Sequence, residues 1–300
     1  MRRTALVRRA EIIREIRAYF EGEGFVEVDT PVLVRSPGVE PHLEAFAVLG
    51  GLYLNTSPEY QMKRLLAAGF ERIYQMGHAF RRDEAGRTHN PEFTILEWYR
   101  AGGTTDDLMR DCEALLGLQT AARRLSMRDA WREAIGETYA DDEAGMRAVC
   151  GRAGVRVAAD DDWEALFFRV FVERVEPLVK AGGPTFLTHY PARMAALARL
   201  WPDDPTCADR FELYAGGHEI ANAFGELTDA AEQRRRFEAD LETRRARGLP
   251  HVPIDERFLA ALLAGLPPCA GIALGVDRLV MVRLGLSDIR DVLAFPFDEI

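Results

Sequence analysis

Residues 80–99 read FRRDEAGRTHNPEFTILEWY, and this stretch decides the fold. IYQMGHAFRRD before it and TILEWYRAG at its end are rich in β-branched and aromatic residues and read as strands. EAGRTHNPEF between them carries the Gly, Asn and Pro of a loop. Arg81 ends the first strand, where a planar guanidinium projecting over the sheet suits bidentate phosphate contact. His89 and Phe93 follow across the loop, an arrangement suited to holding phosphate and stacking a base. Glu97 and Tyr99 lie two apart on the second strand and so share a face. Two polar groups on one face of an apolar strand suggest a pocket floor for a cationic ligand; a solvated sheet edge with ordinary ion pairs is the plainer alternative.

Working outward, residues 8–21 place Ile12, Ile13, Ile16, Tyr19 and Phe20 at helical spacing, ending at Gly22 and Gly24. FVEVDTPVL alternates as a strand broken by Pro31, SPGVEPHLEAF reads as loop, and YLNTSPEY starts extended before turning into a helix through Leu66. From about Thr105 to Ala181 the pattern changes to helices with acidic runs, expected as a helical insertion. PTFLTHYP reads as a strand, FELYAGGHEIANAFGEL as a strand pair through a glycine turn, and Asp229–Arg247 as a long charged helix. GIALGVDRLVMVRLG reads as strand, glycine turn and helix, with Gly271, Gly275 and Arg278 bringing a close-approach glycine beside a guanidinium. No βαβ alternation runs through the chain. A mixed, mainly antiparallel sheet flanked by helices follows, an α/β or α+β fold, and 1–300 reads as one catalytic-type domain.

Composition narrows the partners. The 300 residues carry 38 basic and 48 acidic side chains, a formal net charge of −10, which argues against a protein that coats phosphate backbones. Only Lys63 and Lys180 are lysines and neither follows a Gly-rich loop, so a P-loop is excluded and arginine must hold any phosphates. The four cysteines are scattered without metal-like spacing, as expected of buried thiols in a reducing compartment. The basic start lacks a continuous apolar stretch and a small-residue cleavage site, and no segment approaches the roughly 20 apolar residues of a membrane span, so a cytoplasmic location is expected. Glu212, Glu219 and Glu226 recur every seven residues with Asn222 between them. Carboxylates near a nucleotide suit Mg²⁺, although on spacing alone scattered surface acids are the simpler reading.

FRRDEAGRTHNPEFTILEWY resembles motif 2 of the class II aminoacyl-tRNA synthetases, GIALGVDRL resembles motif 3, and the first helix with GFVEVDTPVL resembles motif 1. HNPEFT is particular to the lysyl, aspartyl and asparaginyl subgroup, and the chain from about residue 8 to its end is similar to the lysyl-tRNA synthetase catalytic domain. Within that family it looks most like the short lysyl-tRNA synthetase paralogues that modify translation elongation factor P. Motif 1 begins almost at once, leaving no room for an anticodon-binding domain. SPEY at 57–60, Ala273, LEWYR and ELTDA also follow those paralogues, where synthetases usually have APE and a glycine.

The resemblance implies ATP-dependent activation of lysine or (R)-β-lysine as an adenylate, with Mg²⁺, and transfer to a lysine side chain of elongation factor P. It implies that Arg81 and Arg278 are catalytic and that Arg81, Arg82, Asp83, His89, Asn90, Phe93, Glu219, Ile220, Gly275 and Arg278 bind ATP. Phe93 would stack on adenine with Arg278 on the other face. Glu212 and Glu219 would bind the metal. Ser57, Pro58, Glu59, Glu97, Tyr99, Asn222, Glu226 and Ala273 would form the amino-acid pocket, with Glu97, Tyr99 and Glu226 at the distal ammonium. Ser57 and Ala273 add volume at its amino-group end, as a β-amino acid needs. A homodimer through the first helix, with Ile12, Ile16 and Phe20 as its apolar stripe, is likewise implied. The family usually reads Phe-Arg-Asn-Glu where Phe80-Arg81-Arg82-Asp83 stands here. Alternatives are a stand-alone lysyl adenylate-forming enzyme that charges tRNA or another acceptor, and a non-catalytic paralogue with a regulatory role.

Overall fold

A computed structural model describes residues 2–300. Its centre is a nine-stranded sheet with a smaller three-stranded sheet beside it. Helix α1 (Arg2–Gly22) leads into β1 (Val26–Glu27), and β2 (Leu33–Val34), β3 (Ala47–Val48) and β4 (Leu52–Leu54) form the small sheet. The strand expected across FVEVDTPVL is thus two short ones, because Pro31 donates no hydrogen bond and separates them. Helix α2 (Glu59–Ala67) precedes β5 (Arg72–Phe80) and β6 (Glu92–Ala101), which pair antiparallel from Arg72 opposite Arg100 to Phe80 opposite Glu92.

The segment expected as a helical insertion divides between two cores. Helix α3 (Thr105–Leu116), started by a Thr104–Asp107 capping box, packs on the main sheet. Strand β7 (Arg123–Ser126) joins that sheet's edge. Only α4 (Met127–Ile135), α5 (Glu143–Arg152), α6 (Trp163–Val170) and α7 (Glu176–Ala181) form a separate helical layer around Trp131, Phe167 and Val175.

Strands β8 (Thr185–Pro191), β9 (Leu200–Trp201), β10 (Asp204–Ala215) and β11 (His218–Gly225) follow, and Gly216 and Gly217 take the positive φ values that the β10–β11 turn requires. Helices α8 (Ala230–Ala246) and α9 (Glu256–Gly265), the second not foreseen from the sequence, lead to β12 (Cys269–Gly275) and α10 (Val276–Leu284). The sheet order is β1-β5-β6-β12-β11-β10-β8-β7, with β9 beside β10. Only the outer pairs β1–β5 and β7–β8 are parallel, so the fold is the mixed, mainly antiparallel sheet expected.

Alternation along β6 builds both faces. Leu96 and Trp98 enter a core with α1, α3 and α10, whereas Tyr99 enters the opposite core with α2, α8 and α9. Asp111 of α3 accepts from Tyr19 (2.6 Å), the Trp98 indole (2.8 Å) and Arg100 (2.6 and 3.0 Å), which satisfies a buried carboxylate and ties helix to strand. Ile12, Ile16 and Phe20 are fully buried within the chain, Phe20 against Tyr74, Phe25 and Trp98. They face the chain's own sheet, so they are not the stripe of a homodimer interface; spacing marks an apolar face without saying what covers it. Among the described residues no helix is long and apolar enough to cross a membrane.

Candidate active site

Motif 2 is held by its backbone. The Arg81 N–H donates to the Pro91 carbonyl (2.8 Å), and Gly86 pairs with His89, folding residues 82–90 into a compact loop. The Arg81 guanidinium then lies 5.0 Å from the Phe93 ring and 3.4 Å from Glu84. Arg278, in the first turn of α10, donates to the Glu219 carbonyl (2.8 Å), the Thr88 carbonyl (3.1 Å) and His89 Nε2 (2.5 Å). Burial, then the Arg278 charge, lowers His89 from the ordinary histidine value, which favours the neutral ring that can accept that bond. Two arginines from separate motifs and one histidine line a cleft of about 720 Å³ with Asn90, Phe93, Glu219, Ile220, Asn222, Ala273 and Gly275.

A second cavity, also about 720 Å³, opens on the acid-lined side of the sheet. Register places Asn222, Ala273 and Glu97 in one row across β11, β12 and β6, and Tyr99 opposite Gly271 in the next. Ser57 donates to Glu97 Oε1 (2.5 Å) and Tyr99 to Oε2 (3.1 Å). Burial and then the Glu59 charge push Glu97 up to about 8. Burial likewise pushes Glu226 up to about 8, with Lys63 opposing it. Among the described residues neither Glu226 oxygen receives a well-directed hydrogen bond, although the Lys63 ammonium lies 2.5 Å from Oε2. Among these residues Oε1 has no partner at all, and an unpaired buried carboxylate oxygen asks for a donor. Arg81, Asn222 and Ala273 line both cavities, so the anion-binding and acid-lined spaces meet at these three residues.

Not every expected residue lies at the cleft. Arg82 and Asp83 turn outward and pair with each other (3.2 Å), Arg82 also reaching Glu44 (3.6 Å). Glu84, the next acid along, faces Arg81 and His89 instead. Pro58 sits at the N-cap of α2 and lines neither cavity. Asn90 donates to the Glu92 carbonyl and accepts from the Phe297 N–H, so its amide holds the loop and the chain end. Glu212 is buried behind the lining with its oxygens engaged by Arg210 (2.7 Å) and Tyr214 (2.7 Å). Glu219, by contrast, is raised to about 7 by burial and the Glu212 charge, and it receives no side-chain hydrogen bond among the described residues. Of the two, only Glu219 is open to a divalent cation at the cleft, and among the described residues no three such side chains cluster to hold one.

Three residues were missed. Lys63 is buried between Glu59 and Glu226. Arg210 lies over Tyr190 (4.3 Å) and contacts Asn222 (3.2 Å), and its period-two relation to Glu212 was the available signal. Glu40, raised to about 7 by burial, lines the acid-lined cavity.

A family model described as class II tRNA synthetases (D, K and N) matches residues 1–299. The chain is 46% identical to the elongation factor P--(R)-beta-lysine ligase of Proteus mirabilis strain HI4320, over 97% of this chain and 94% of the relative. It is 43% identical to the protein of the same name from Hamiltonella defensa and 44% identical to that of Klebsiella pneumoniae strain ATCC 700721, in both cases over 98% of this chain and 95% of the relative. Geometry and likeness agree: the chain belongs to the class II tRNA synthetases of the aspartyl, lysyl and asparaginyl group.

Proposed function

We propose that the chain is a ligase that activates lysine or (R)-β-lysine with ATP and passes the aminoacyl group to a lysine side chain of elongation factor P, the protein named in its relatives' titles. The observation that carries this reading is the meeting of two cavities, one rich in arginine and one in carboxylates, at Arg81, Asn222 and Ala273. A substrate with an ammonium at its far end and a carboxylate at the junction has its reacting oxygen where a nucleotide's α-phosphate would lie.

In the first step a carboxylate oxygen attacks the α-phosphorus, a phosphorus–oxygen bond breaks, and pyrophosphate leaves. Arg81 at the junction aligns both anions, and Arg278 and His89 lie along the departing phosphates, so positioning and charge neutralisation do most of the work. Phe93 offers a ring to adenine, and the backbone at Gly275 is open to the cleft. Mg²⁺, held by Glu219 with Glu212 behind it, would neutralise phosphate charge. Asn222 takes the substrate carboxylate and Glu59 the nearby amino group, while Glu97, Tyr99 and Glu226 take the distal ammonium. In the second step the acceptor amine, having lost its proton, attacks the acyl carbon; an amide forms and AMP leaves. A homodimer belongs to this reading, with exposed Val7, Val26, Val32 and Leu33 near motif 1 as its apolar surface.

Amino-acid-dependent ATP–pyrophosphate exchange tests the first step with α-lysine and (R)-β-lysine in parallel. Labelled amino acid offered to elongation factor P and to tRNA tests the second. We expect exchange with one or both lysines and label on the protein; label on tRNA alone overturns the acceptor, and no exchange with either lysine overturns the reading.

A further inference from the structure

One of the chain's two lysines has no contact with solvent. Lys63 is buried at 1% exposure, its Nζ 2.5 Å from Glu59 Oε1 one turn away on α2 and 2.5 Å from Glu226 Oε2 at the end of β11. Desolvating an ammonium costs several kcal/mol unless carboxylates surround it, so this placement needs a reason. Lys63 lines neither cavity, whereas both acids it touches line the acid-lined one. It therefore acts on a bound molecule only through them.

Four carboxylates line that cavity; Glu59, Glu97 and Glu226 form the cluster around Lys63, and once those three are ionised the single ammonium behind them leaves two negative charges. Arg210 is matched by Glu212 at 2.7 Å, and Glu40, raised to about 7 chiefly by burial, sheds its charge by holding a proton rather than by an ion pair. A ligand with two ammonium groups, one beside its carboxylate and one at the chain end, closes this balance. A monoamino acid leaves a buried carboxylate unpaired, which forces it to keep a proton. Resting on the function proposed above, we propose that Lys63 is a positioning residue, a fixed counter-ion that ties Glu59 to Glu226 and leaves their cluster two negative charges when substrate ionises it, so that a diamino acid is selected over monoamino acids.

The groups facing Lys63 are Glu59 on its own helix, Glu97 from β6, Glu226 just past β11, Cys269 from β12 and the Phe258 ring of α9, 5.8 Å away. Burial alone would depress Lys63, but Glu226 and Glu59 more than reverse this and hold it above the ordinary lysine range. In return the Lys63 charge is the largest influence keeping Glu226 from rising further.

Lys63→Met removes the charge and keeps most of the volume. In lysine-dependent exchange we expect KM near pH 7 to rise about tenfold with kcat within about threefold, and the acid limb of kcat/KM to move up by about one pH unit, with KM recovering above the new limb. A merely structural role instead lowers kcat alike at every pH. Adding Glu59→Gln removes one charge of each sign and returns the limb toward its original position. A measurement on the unaltered protein guards against misfolded variants: with only Lys180 as company, the Lys63 side chain is readily resolved by NMR of lysine-labelled protein. We expect its ammonium to persist above the pH at which an ordinary lysine titrates. An unmoved limb in Lys63→Met, or a Lys63 that titrates at or below the ordinary value, overturns the proposal. Failure of the original protein to exchange with any lysine defeats the functional reading; exchange with an unmoved limb defeats only the role of Lys63.

Discussion

At the scale of single residues, the acid-lined pocket depends on the absence of a side chain. A Cβ placed on Gly271 would lie 2.1 Å from Tyr99 Cε1 and 2.4 Å from Glu226 Oε1. Both neighbours are buried and line the acid-lined cavity, so they can give way only by moving into the space the substrate needs. Gly275, which the motif suggested as the close-approach glycine, has room by comparison: a Cβ there meets only Arg278, at 3.8 Å. Gly271→Ala should therefore displace the two groups expected at the distal ammonium. We predict a rise of tenfold or more in KM for lysine, a smaller change in kcat, and a stability loss of about 1–3 kcal/mol typical of overpacking. Exchange kinetics and urea denaturation check the two together, and an unchanged KM would remove Tyr99 and Glu226 from the pocket. A companion change, Glu226→Gln, keeps the shape but removes the charge. It should cost more than tenfold in kcat/KM for lysine, with the folded state retained by circular dichroism.

At the scale of elements, α1 shows how an apolar face can be read correctly and assigned to the wrong partner. Its buried residues Ile12, Ile16 and Phe20 repeat every four residues, and the ring of Phe20 stacks on Tyr74 at 4.6 Å. Phe20→Ala opens a cavity in a core that cannot collapse around it, and we predict a loss of about 3–5 kcal/mol. If the stripe instead joined two chains, Phe20→Ala would weaken self-association measured by sedimentation under native conditions; we expect self-association to be unchanged. The same distinction explains what was legible in the sequence. Glu97 and Tyr99 were readable because a strand's period of two fixes which side chains share a face. Strand β6, the β10–β11 hairpin and the β12–α10 turn were readable because alternation and glycine act locally. Lys63 was not, because a Glu and a Lys four apart on a helix normally make a solvated pair, and only Glu226, distant in sequence, reveals the burial. The outward turn of Arg82 and Asp83 was equally hidden, being decided by Glu44 on another loop. The seven-residue spacing of Glu212, Glu219 and Glu226 does not survive as a common site either. A shift of register at Leu213–Tyr214 and the turn that follows send Glu212 behind the lining, Glu219 to the nucleotide side and Glu226 to the acid-lined pocket.

At the scale of the whole molecule, the site carries an electrostatic load that substrate should relieve. Glu97 and Glu226 are raised to about 8 and Glu40 and Glu219 to about 7, in every case by burial first. An unfolded chain binds these protons only below the ordinary carboxylate value. Between roughly pH 5 and 8 these four carboxylates hold more protons in the folded state than in the unfolded one, so their contribution to stability falls as pH rises, opposed at the lower end by the depressed His89 and His218. Lys63 contributes nothing to the slope there, since a raised ammonium is charged in both states until the pH passes the ordinary lysine value. A bound diamino acid reverses the sign of the effect: its two ammonium groups favour the ionised carboxylates, so binding strengthens as pH rises and expels their protons. We predict that the melting temperature of the substrate-free protein declines from about pH 6 to pH 9, and that the rise in melting temperature caused by saturating lysine grows over the same interval. Calorimetric binding in buffers of different ionisation enthalpy should register proton release near pH 7. Norleucine, which lacks the distal ammonium, should give neither the stabilisation nor the released protons. Equal stabilisation by lysine at pH 6 and pH 9 would mean that these carboxylates do not meet the substrate.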